Sequence, residues 1–370
     1  MNKFGKSAFF ALIAVILLIT AACGNSGKET GKDEGASQEQ GQTTEQAAGN
    51  TDAASLKGKK IALVMQFNTG TFSAQYIEGV KEQVEKFGGK VQVFASDNDL
   101  AKMSANLDAA INQGFDGILL DHGQAGALKQ GVNRAVEQKI PVVAFDSDLK
   151  VPGVTVLSQD DQAMASKTLE LLKQDAGGKG NIVKIWVAGF APMERRQVAY
   201  KAFLDSNPDI KEIAAFGNAG NPALDAQSQM EAILKQYPNK GDISAVWAAW
   251  DEFAKGATRA IQQAGRNEIK VYGIDMSDED LQMIQDPNGP WVASAAVDPK
   301  DIGRVQVRYL YQKLHGDNTD DSVVLDAVVV KRDDLPKEAV NTTQLGEYVQ
   351  GWSGRTQGNA DWMKELEQAQ

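Results

Sequence analysis

Two stretches of this chain repeat one pattern, in which a short apolar run, a polar loop, an amphipathic helix and a second apolar run follow in order. The first stretch, residues 116–146, ends in Asp146, and the second, residues 243–275, ends in Asp275. The pattern predicts parallel strands that are joined by a helical crossover. Ligands of open parallel sheets bind beyond the carboxyl ends of the strands, so both aspartates are expected at a binding site.

Strand and helix patterns alternate from about residue 56 to about residue 340. Apolar runs such as residues 60–65 predict strands, and apolar positions at helical spacing, as in residues 72–87, predict the helices between them. Residues 323–330 are predicted as one strand. About 285 residues exceed what one hydrophobic core usually holds, so we expect an α/β fold with two Rossmann-like lobes, each built on a parallel sheet.

The N-terminal residues 1–22 have the pattern of a bacterial lipoprotein signal peptide. Lys3 and Lys6 precede an apolar core that is too short to span a bilayer. Small residues then lead to Cys23, which we expect to be lipidated and to anchor the protein to the outer face of the cell membrane. An ordinary signal peptide that happens to contain a cysteine is the alternative.

Two terminal segments lie outside the alternating pattern. Residues 24–55 contain no aromatic and no branched aliphatic side chain. Such a composition cannot bury enough apolar surface to offset the entropy lost on ordering, so residues 23–55 are predicted to be a disordered tether. The C-terminal extension, residues 341–370, carries Trp352, Trp362 and a helical pattern. We expect it to pack on a lobe as an extra helix.

Several kinds of chemistry are absent from the sequence. His122 and His315 are the only histidines and Cys23 is the only cysteine, so a Cys/His metal site is excluded. No Walker A loop, dinucleotide-binding glycine motif or nucleophile elbow occurs. The formal net charge of −11 argues against nucleic-acid binding. We therefore expect no cofactor and no catalysed reaction.

From residue 60 to about residue 330 the chain resembles the type I periplasmic binding proteins of the ribose/galactose-binding family, the sugar receptors of ABC importers. The resemblance rests on motifs in the order and spacing of that family, which are Phe72 after the first strand, Val142-Val143-Ala144-Phe145-Asp146, Glu194-Arg195-Arg196, Trp250-Asp251-Glu252 with Lys255-Gly256-Ala257, and Gly273-Ile274-Asp275. Together they cover nearly the whole of the predicted folded region.

The resemblance implies two lobes that are joined by a three-segment hinge and close on a monosaccharide or similar polyol. By pattern, the crossings fall near residues 158–161, 297–298 and 326. The first lobe then consists of residues 56–160 and 298–326, and the second of residues 161–297 and 327–340.

The resemblance also implies a ligand site in the cleft between the lobes. Sugar hydroxyl groups donate and accept hydrogen bonds, so carboxylates and arginine bind them, while sugar C–H faces stack on aromatic rings. The residues at matching positions are Gln66, Phe72, Asp121, Asp146, Arg196, Trp250, Asp251 and Asp275. Other roles remain open for some of them, because Phe72 would also suit a helix N-terminal staple and the aspartates would also suit helix caps.

Two neighbours of these residues are expected to stay outside the site, Arg195 as a solvated side chain and His122 as a loop residue. The chain also departs from ribose-binding relatives, which carry Arg where Ser147 stands and in some cases Gln where Val297 stands. The implied pocket is therefore more acidic and less basic than a ribose site.

The expected function is that of a lipid-anchored, extracytoplasmic solute-binding receptor that delivers its ligand to an ABC permease and its ATPase. We expect a monomer that binds no nucleic acid. One alternative is a sensor or chemoreceptor module for a sugar-like signal such as an autoinducer. A second is an enzyme that uses the carboxylates as acid and base. A sugar-responsive repressor has the same two-lobe fold, but the signal peptide argues against it.

Overall fold

The structure is a computed structural model that describes residues 51–367. The predicted signal peptide, Cys23 and residues 24–50 of the predicted tether lie outside the described residues. The first described element is a 3-10 helix, Ala53–Leu56, whose Ala53 and Leu56 side chains are buried. The folded unit therefore begins inside the segment predicted as a tether. In residues 51–367, every helix is too short or too polar to cross a bilayer.

Strands and helices alternate through the described chain. The strands are β1 (Lys60–Met65), β2 (Lys90–Ala95), β3 (Gly117–Asp121), β4 (Val142–Phe145), β5 (Thr155–Gln159), β6 (Gly180–Ile185), β7 (Ile210–Phe216), β8 (Ala245–Ala248), β9 (Lys270–Ile274), β10 (Trp291–Ala296), β11 (Ser322–Leu325) and β12 (Val328–Lys331). The helices are α1 (Gly70–Lys86), α2 (Leu100–Asn112), α3 (Ala125–Glu137), α4 (Asp161–Asp175), α5 (Ala191–Ser206), α6 (Pro222–Gln236), α7 (Asp251–Gln263), α8 (Asp278–Gln285), α9 (Pro299–His315) and α10 (Met363–Glu367).

The strands of residues 51–367 form two six-stranded sheets. The order is β11-β5-β4-β3-β1-β2 in the first sheet and β12-β10-β9-β8-β6-β7 in the second. Neighbouring strands are parallel, except that β12 runs antiparallel to β10. We call the parts of the chain around these sheets the first lobe and the second lobe. The predicted α/β class with two parallel-sheet lobes is confirmed.

The local sequence explains where these elements begin and end. Residues of β3, β4 and β8 are all buried, because helices cover both faces of a parallel sheet and the strands are continuously apolar. Helices α4 and α9 begin where the chain enters a new lobe. The preceding residues, Asp160 and Asp298, cap them by accepting a hydrogen bond from a backbone N–H of the first turn.

Within the described residues, the chain passes between the sheets three times, after β5, after β10 and after β11. The backbone N–H of Asp160 donates to the carbonyl of Leu325 at 3.1 Å, so the first and third crossings lie side by side. The prediction of a single strand over residues 323–330 is wrong, because β11 belongs to the first sheet and β12 to the second. Asp326 and Ala327 carry the crossing between them.

Helices α1 and α9 approach each other backbone to backbone, and this contact fixes the start of α1 at the cleft. A Cβ atom on Gly79 would lie 2.1 Å from the carbonyl oxygen of Lys300, and one on Gly303 would lie 2.6 Å from that of Tyr76. Glycine is therefore required at both positions.

The C-terminal extension contacts both lobes. Trp362 stacks on His315 of α9 with ring centroids 4.1 Å apart. The hydroxyl of Thr342 accepts a hydrogen bond from Gln75 of α1 at 2.7 Å and donates to Asp278 of α8 at 2.7 Å. These bonds link a helix of the first lobe to a helix of the second.

Candidate functional site

A cavity lies between the lobes, at the carboxyl ends of the central strands. The predicted site residues on its wall are Phe72, Asp146, Arg196, Trp250, Asp251 and Asp275. The wall also contains residues that the sequence analysis did not assign to the site, among them Phe67, His122, Gln159, Phe190 and Met193.

Asp146 and Asp275 occupy matching places in the two lobes. Each follows the last residue of a buried strand, β4 or β9, and each has a left-handed backbone, with φ of 49° and 77° respectively. Aspartate adopts this conformation more readily than most residues. A helix-cap role for Asp275 is excluded, because Ser277 caps α8 by accepting from the N–H of Asp280. Asp146 is followed by β5 and not by a helix.

Arg195 and Arg196, near the start of α5, connect carboxylates of both lobes. Arg196 is buried and donates to Asp161 at 2.7 Å and to Asp275 at 3.3 and 3.4 Å. Arg195 donates to Asp146 of the first lobe and to Asp161, each at 2.7 Å. The expectation that Arg195 is a solvated neighbour is therefore wrong. Asp161, which both arginines bind, was not assigned a role from the sequence.

Gln159 makes a second contact between the lobes that the sequence analysis missed. It ends β5, it is 3 % exposed, and its Nε2 donates to Oδ1 of Asp275 at 3.1 Å. Its Oε1 is buried and accepts no hydrogen bond from any described residue. Since an unpaired buried acceptor is costly, this oxygen is suited to accept a hydrogen bond from a ligand.

Aromatic side chains form much of the remaining wall. The ring centroid of Phe67, in the loop after β1, lies 5.4 Å from that of Phe190 and 5.8 Å from that of Trp250, both in the second lobe. It lies 5.5 Å from that of His122, in an edge-to-face arrangement. Phe72, in the first turn of α1, lines the same cavity. Ring contacts therefore join the lobes beside the carboxylates.

Asp251 lines the cavity, and a buried lysine is close to its carboxylate. Nζ of Lys255 lies 2.6 Å from Glu252, 3.3 Å from Asp280 and 3.5 Å from Asp251. The N–H of Glu252 also donates to Asp251 at 2.8 Å. Burial and then the charge of Asp280 raise the pKa of Asp251, although Lys255 opposes them. This carboxyl therefore holds a proton more readily than an exposed aspartate.

Gln66 and Asp121 lie beside the cavity and not on its wall. Gln66 accepts a hydrogen bond from the N–H of Gly123 at 2.9 Å and donates to Asn98 at 2.9 Å. Asp121 contacts Nδ1 of His122 at 2.9 Å. The structure therefore places both side chains where they hold the loop after β3. Their neighbour His122, expected as an ordinary loop residue, is on the cavity wall.

Two groups on the wall have shifted pKa values. Burial raises the pKa of Asp146 to about 7, and the charge of Asp161 acts in the same direction, whereas Arg195 opposes it. Burial alone would lower the pKa of His122. The charge and hydrogen bond of Asp121 outweigh that effect, so the pKa of His122 is raised.

Known proteins share this sequence pattern and fold. The family model described as a periplasmic binding protein domain matches residues 61–318. The crystal structure of a sugar ABC transporter from Yersinia enterocolitica superimposes with a TM-score of 0.82, at 37 % identity, over 86 % of this chain and 97 % of that chain.

Two further relatives have named ligands. The 5-methylthioribose transporter solute binding protein from Thermotoga lettingae, solved in complex with 5-methylthioribose, superimposes with a TM-score of 0.79, at 31 % identity, over 84 % of this chain and 96 % of that chain. The xylitol-binding protein of Mycolicibacterium smegmatis is 26 % identical over 80 % of this chain and 88 % of its own length.

Proposed function

The chain belongs to the periplasmic binding protein family, and from this membership we propose that it is the solute-binding receptor of an ABC importer for a sugar or similar polyol. The observation that carries the proposal is the set of Asp146, Gln159, Arg196 and Asp275, which lines one cavity from both lobes. Gln159 and Arg196 in this set donate hydrogen bonds to Asp275. Side chains of this kind bind hydroxyl groups through charge-assisted hydrogen bonds.

The relatives support a neutral, hydroxyl-rich ligand. The Mycolicibacterium protein is named for xylitol, which is a polyol, and the Thermotoga protein contains a substituted pentose. Both ligands offer several hydroxyl donors on a short carbon chain. We infer that the ligand of this chain has the same general character.

Binding works through closure of the two lobes. The hinge consists of the crossings at Asp160, at residues 297–298 and at residues 326–327. A ligand that contacts Asp146 in the first lobe and Asp275 in the second favours the closed form, because it binds that form better than the open one. The permease would then recognise the closed receptor.

Each predicted residue takes a role that fits its position. Asp146, Asp275 and Arg196 bind hydroxyl groups directly or through their shared network. Phe72 and Trp250 stack on the C–H faces of the ligand, and Asp251 completes the wall. Gln66 and Asp121 act indirectly, by holding the loop that carries His122.

The remaining features concern the place of the protein in the cell. Lipidation of Cys23 would hold the receptor outside the membrane, and the segment after it would serve as a tether. The receptor would act as a monomer beside its permease and ATPase, without catalysing a reaction. The two lobes would move relative to each other, and they consist of residues 56–160 with 298–326 and of residues 161–297 with 327–340. The relatives named above are described by binding or transport, which does not favour a sensor.

A thermal-shift screen over pentoses, hexoses, deoxysugars and polyols tests the proposal. A ligand that binds only the folded protein at a hundred times its dissociation constant adds about 2.7 kcal/mol to the free energy of unfolding. We expect a clear rise in melting temperature with at least one uncharged sugar or polyol. A screen in which none of these compounds shifts the melting temperature, while a chemically different solute does, would exclude the proposed ligand class.

A further inference from the structure

The wall of the cavity contains two contiguous sets of side chains with different chemistry. We call the first set the polar wall, which consists of Asp146, Gln159, Arg196 and Asp275. We call the second set the aromatic wall, which consists of Phe67, Phe190 and Trp250, with Phe67 in ring contact with the other two. Both sets line the same cavity, so a ligand that fills it touches both.

The polar wall accepts hydrogen bonds more readily than it donates them. Arg196 already donates to Asp161, Asp275 and the carbonyl of Ala249, and the amide of Gln159 already donates to Asp275. Among the described residues, Oε1 of Gln159 receives no hydrogen bond. The polar wall therefore suits hydroxyl donors. A phosphate or carboxylate would face the acidic side chains, while the arginine that could bind it is already paired.

The aromatic wall suits apolar groups of a ligand. The side chains of Phe67 and Phe190 have no hydrogen-bonding atom, and their centroids lie 5.4 Å apart across the cleft. Met193, in the first turn of the helix that follows Phe190, adds a buried thioether to the cavity. A hydroxyl group placed against these side chains would lose its water without gaining a partner, whereas an apolar group would gain contact.

We propose that the ligand is an uncharged sugar or polyol with an apolar substituent, such as a deoxy methyl or an alkylthio group, at the end that faces the aromatic wall. The proposal rests on the sugar-binding function proposed above. Its hydroxyl end lies on the polar wall, where Gln159 Oε1 accepts one of the hydroxyl hydrogens. Gln159 and Phe190 are the residues that select such a ligand.

Titration calorimetry on the purified full-length protein tests this orientation with three probes, ribose, 5-deoxyribose and 5-methylthioribose. Burying the methylthio group should make 5-methylthioribose bind about tenfold more tightly than ribose, with 5-deoxyribose between them. Phe190→Ala should reduce this ratio to less than about threefold. The control Phe94→Ala removes a half-buried ring of β2 that does not line the cavity, and it should keep the wild-type ratio.

The outcomes separate the two proposals. If ribose binds as tightly as 5-methylthioribose, the proposal of an apolar substituent is overturned, and the proposed sugar-binding function stays intact. Binding of none of the three probes, nor of any other sugar or polyol, would overturn the function itself. If Phe190→Ala weakens all three probes equally or leaves their ratio unchanged, the aromatic wall does not select the substituent. A selective loss of the methylthio preference supports the proposal.

Discussion

Arg195 of the second lobe donates from Nη2 to Oδ1 of Asp146 in the first lobe at 2.7 Å. The same guanidinium also binds Asp161, the first residue of α4, just after the first crossing. This ion pair therefore spans the cleft next to the hinge. It links the relative position of the lobes to a carboxylate on the wall of the cavity.

Removal of this ion pair should weaken ligand binding. Arg195→Met deletes a charge-assisted contact that forms only when the lobes are together, so affinity should fall about three- to tenfold. The side chain of Arg195 is 31 % exposed, and solvent screening limits the effect. Arg134→Met is the matched control, because Arg134 pairs with Asp108 inside the first lobe. Equal affinities for the two variants in calorimetry would argue against a role in closure.

Ligand affinity should rise with pH through the pKa of Asp146, which is about 7. A hydroxyl donor binds the carboxylate better than the protonated acid, so the gain between pH 6 and pH 8 should approach tenfold. Calorimetry at several pH values measures it. Asp146→Asn should flatten the profile, and an unchanged slope in that variant would assign the dependence to another group such as His122.

The same raised pKa makes the ligand-free protein less stable as the pH rises, whereas ligand affinity increases. The folded-state pKa of Asp146, about 7, lies above the value of about 3.9 in an unfolded chain. The stability contribution of this carboxyl is therefore complete below about pH 4 and is lost as the pH rises to about 7. Urea unfolding should show wild type losing stability over this window relative to Asp146→Asn. A constant difference would contradict the assignment.

The burial of Lys255 predicts a large effect on stability. Its side chain is 1 % exposed and Nζ contacts Glu252, Glu279, Asp280 and Asp251. Lys255→Met leaves these carboxylates without their cation, which should cost on the order of 3–5 kcal/mol of unfolding free energy. Arg259→Met is the control. Arg259 is 40 % exposed and pairs with Glu279, which keeps its contact with Lys255 at 3.2 Å, so the loss of Arg259 should cost less than about 1 kcal/mol. Similar midpoints of urea unfolding for both variants would contradict this account.

Strand ends were the part of the site that could be predicted from sequence. Asp146 and Asp275 each end an apolar run, and the structure places both at the cavity because parallel strands carry their carboxyl ends to one edge. Gln159 was missed because it ends β5, a strand with alternating partial burial and no strong apolar run. A local pattern therefore predicted two residues on the wall of this cavity, but not every residue on it.

Contacts between the lobes could not be predicted in this way. Phe67 meets Phe190, and Arg195 meets Asp146, only because the hinge brings distant parts of the chain together. Sequence spacing carries no information on such pairs. The single strand predicted over residues 323–330 is wrong, because the crossing expected near residue 326 divides it into β11 of the first sheet and β12 of the second.

Replacement of Cys23 tests the proposed anchor. Two acyl chains hold a protein stably on a membrane, so Cys23→Ser should move the protein from the membrane fraction to the soluble or secreted fraction. Fractionation followed by immunoblotting measures the change. Ser26→Ala, in the predicted tether, should leave the distribution unaltered. Membrane retention of Cys23→Ser would disprove lipid anchoring through this residue.

Asp275→Asn should weaken binding without a large loss of stability. Asp275 accepts from Gln159 at 3.1 Å and from Arg196 at 3.3 and 3.4 Å, and an asparagine oxygen can keep part of these contacts. Loss of the charge removes a charge-assisted bond to a ligand hydroxyl, of about 1.5–3 kcal/mol, so affinity should fall about ten- to a hundredfold.

The control for this variant is Asp209→Asn, because Asp209 is exposed in the turn between α5 and β7. It should change neither affinity nor unfolding free energy by more than about 0.5 kcal/mol. Calorimetry and thermal melting on the same samples separate the two possible roles of Asp275. A lowered melting temperature with unchanged affinity would make Asp275 a structural partner of Arg196. A selective loss of affinity identifies it as a ligand contact, since Ser277 and not Asp275 caps the helix that follows.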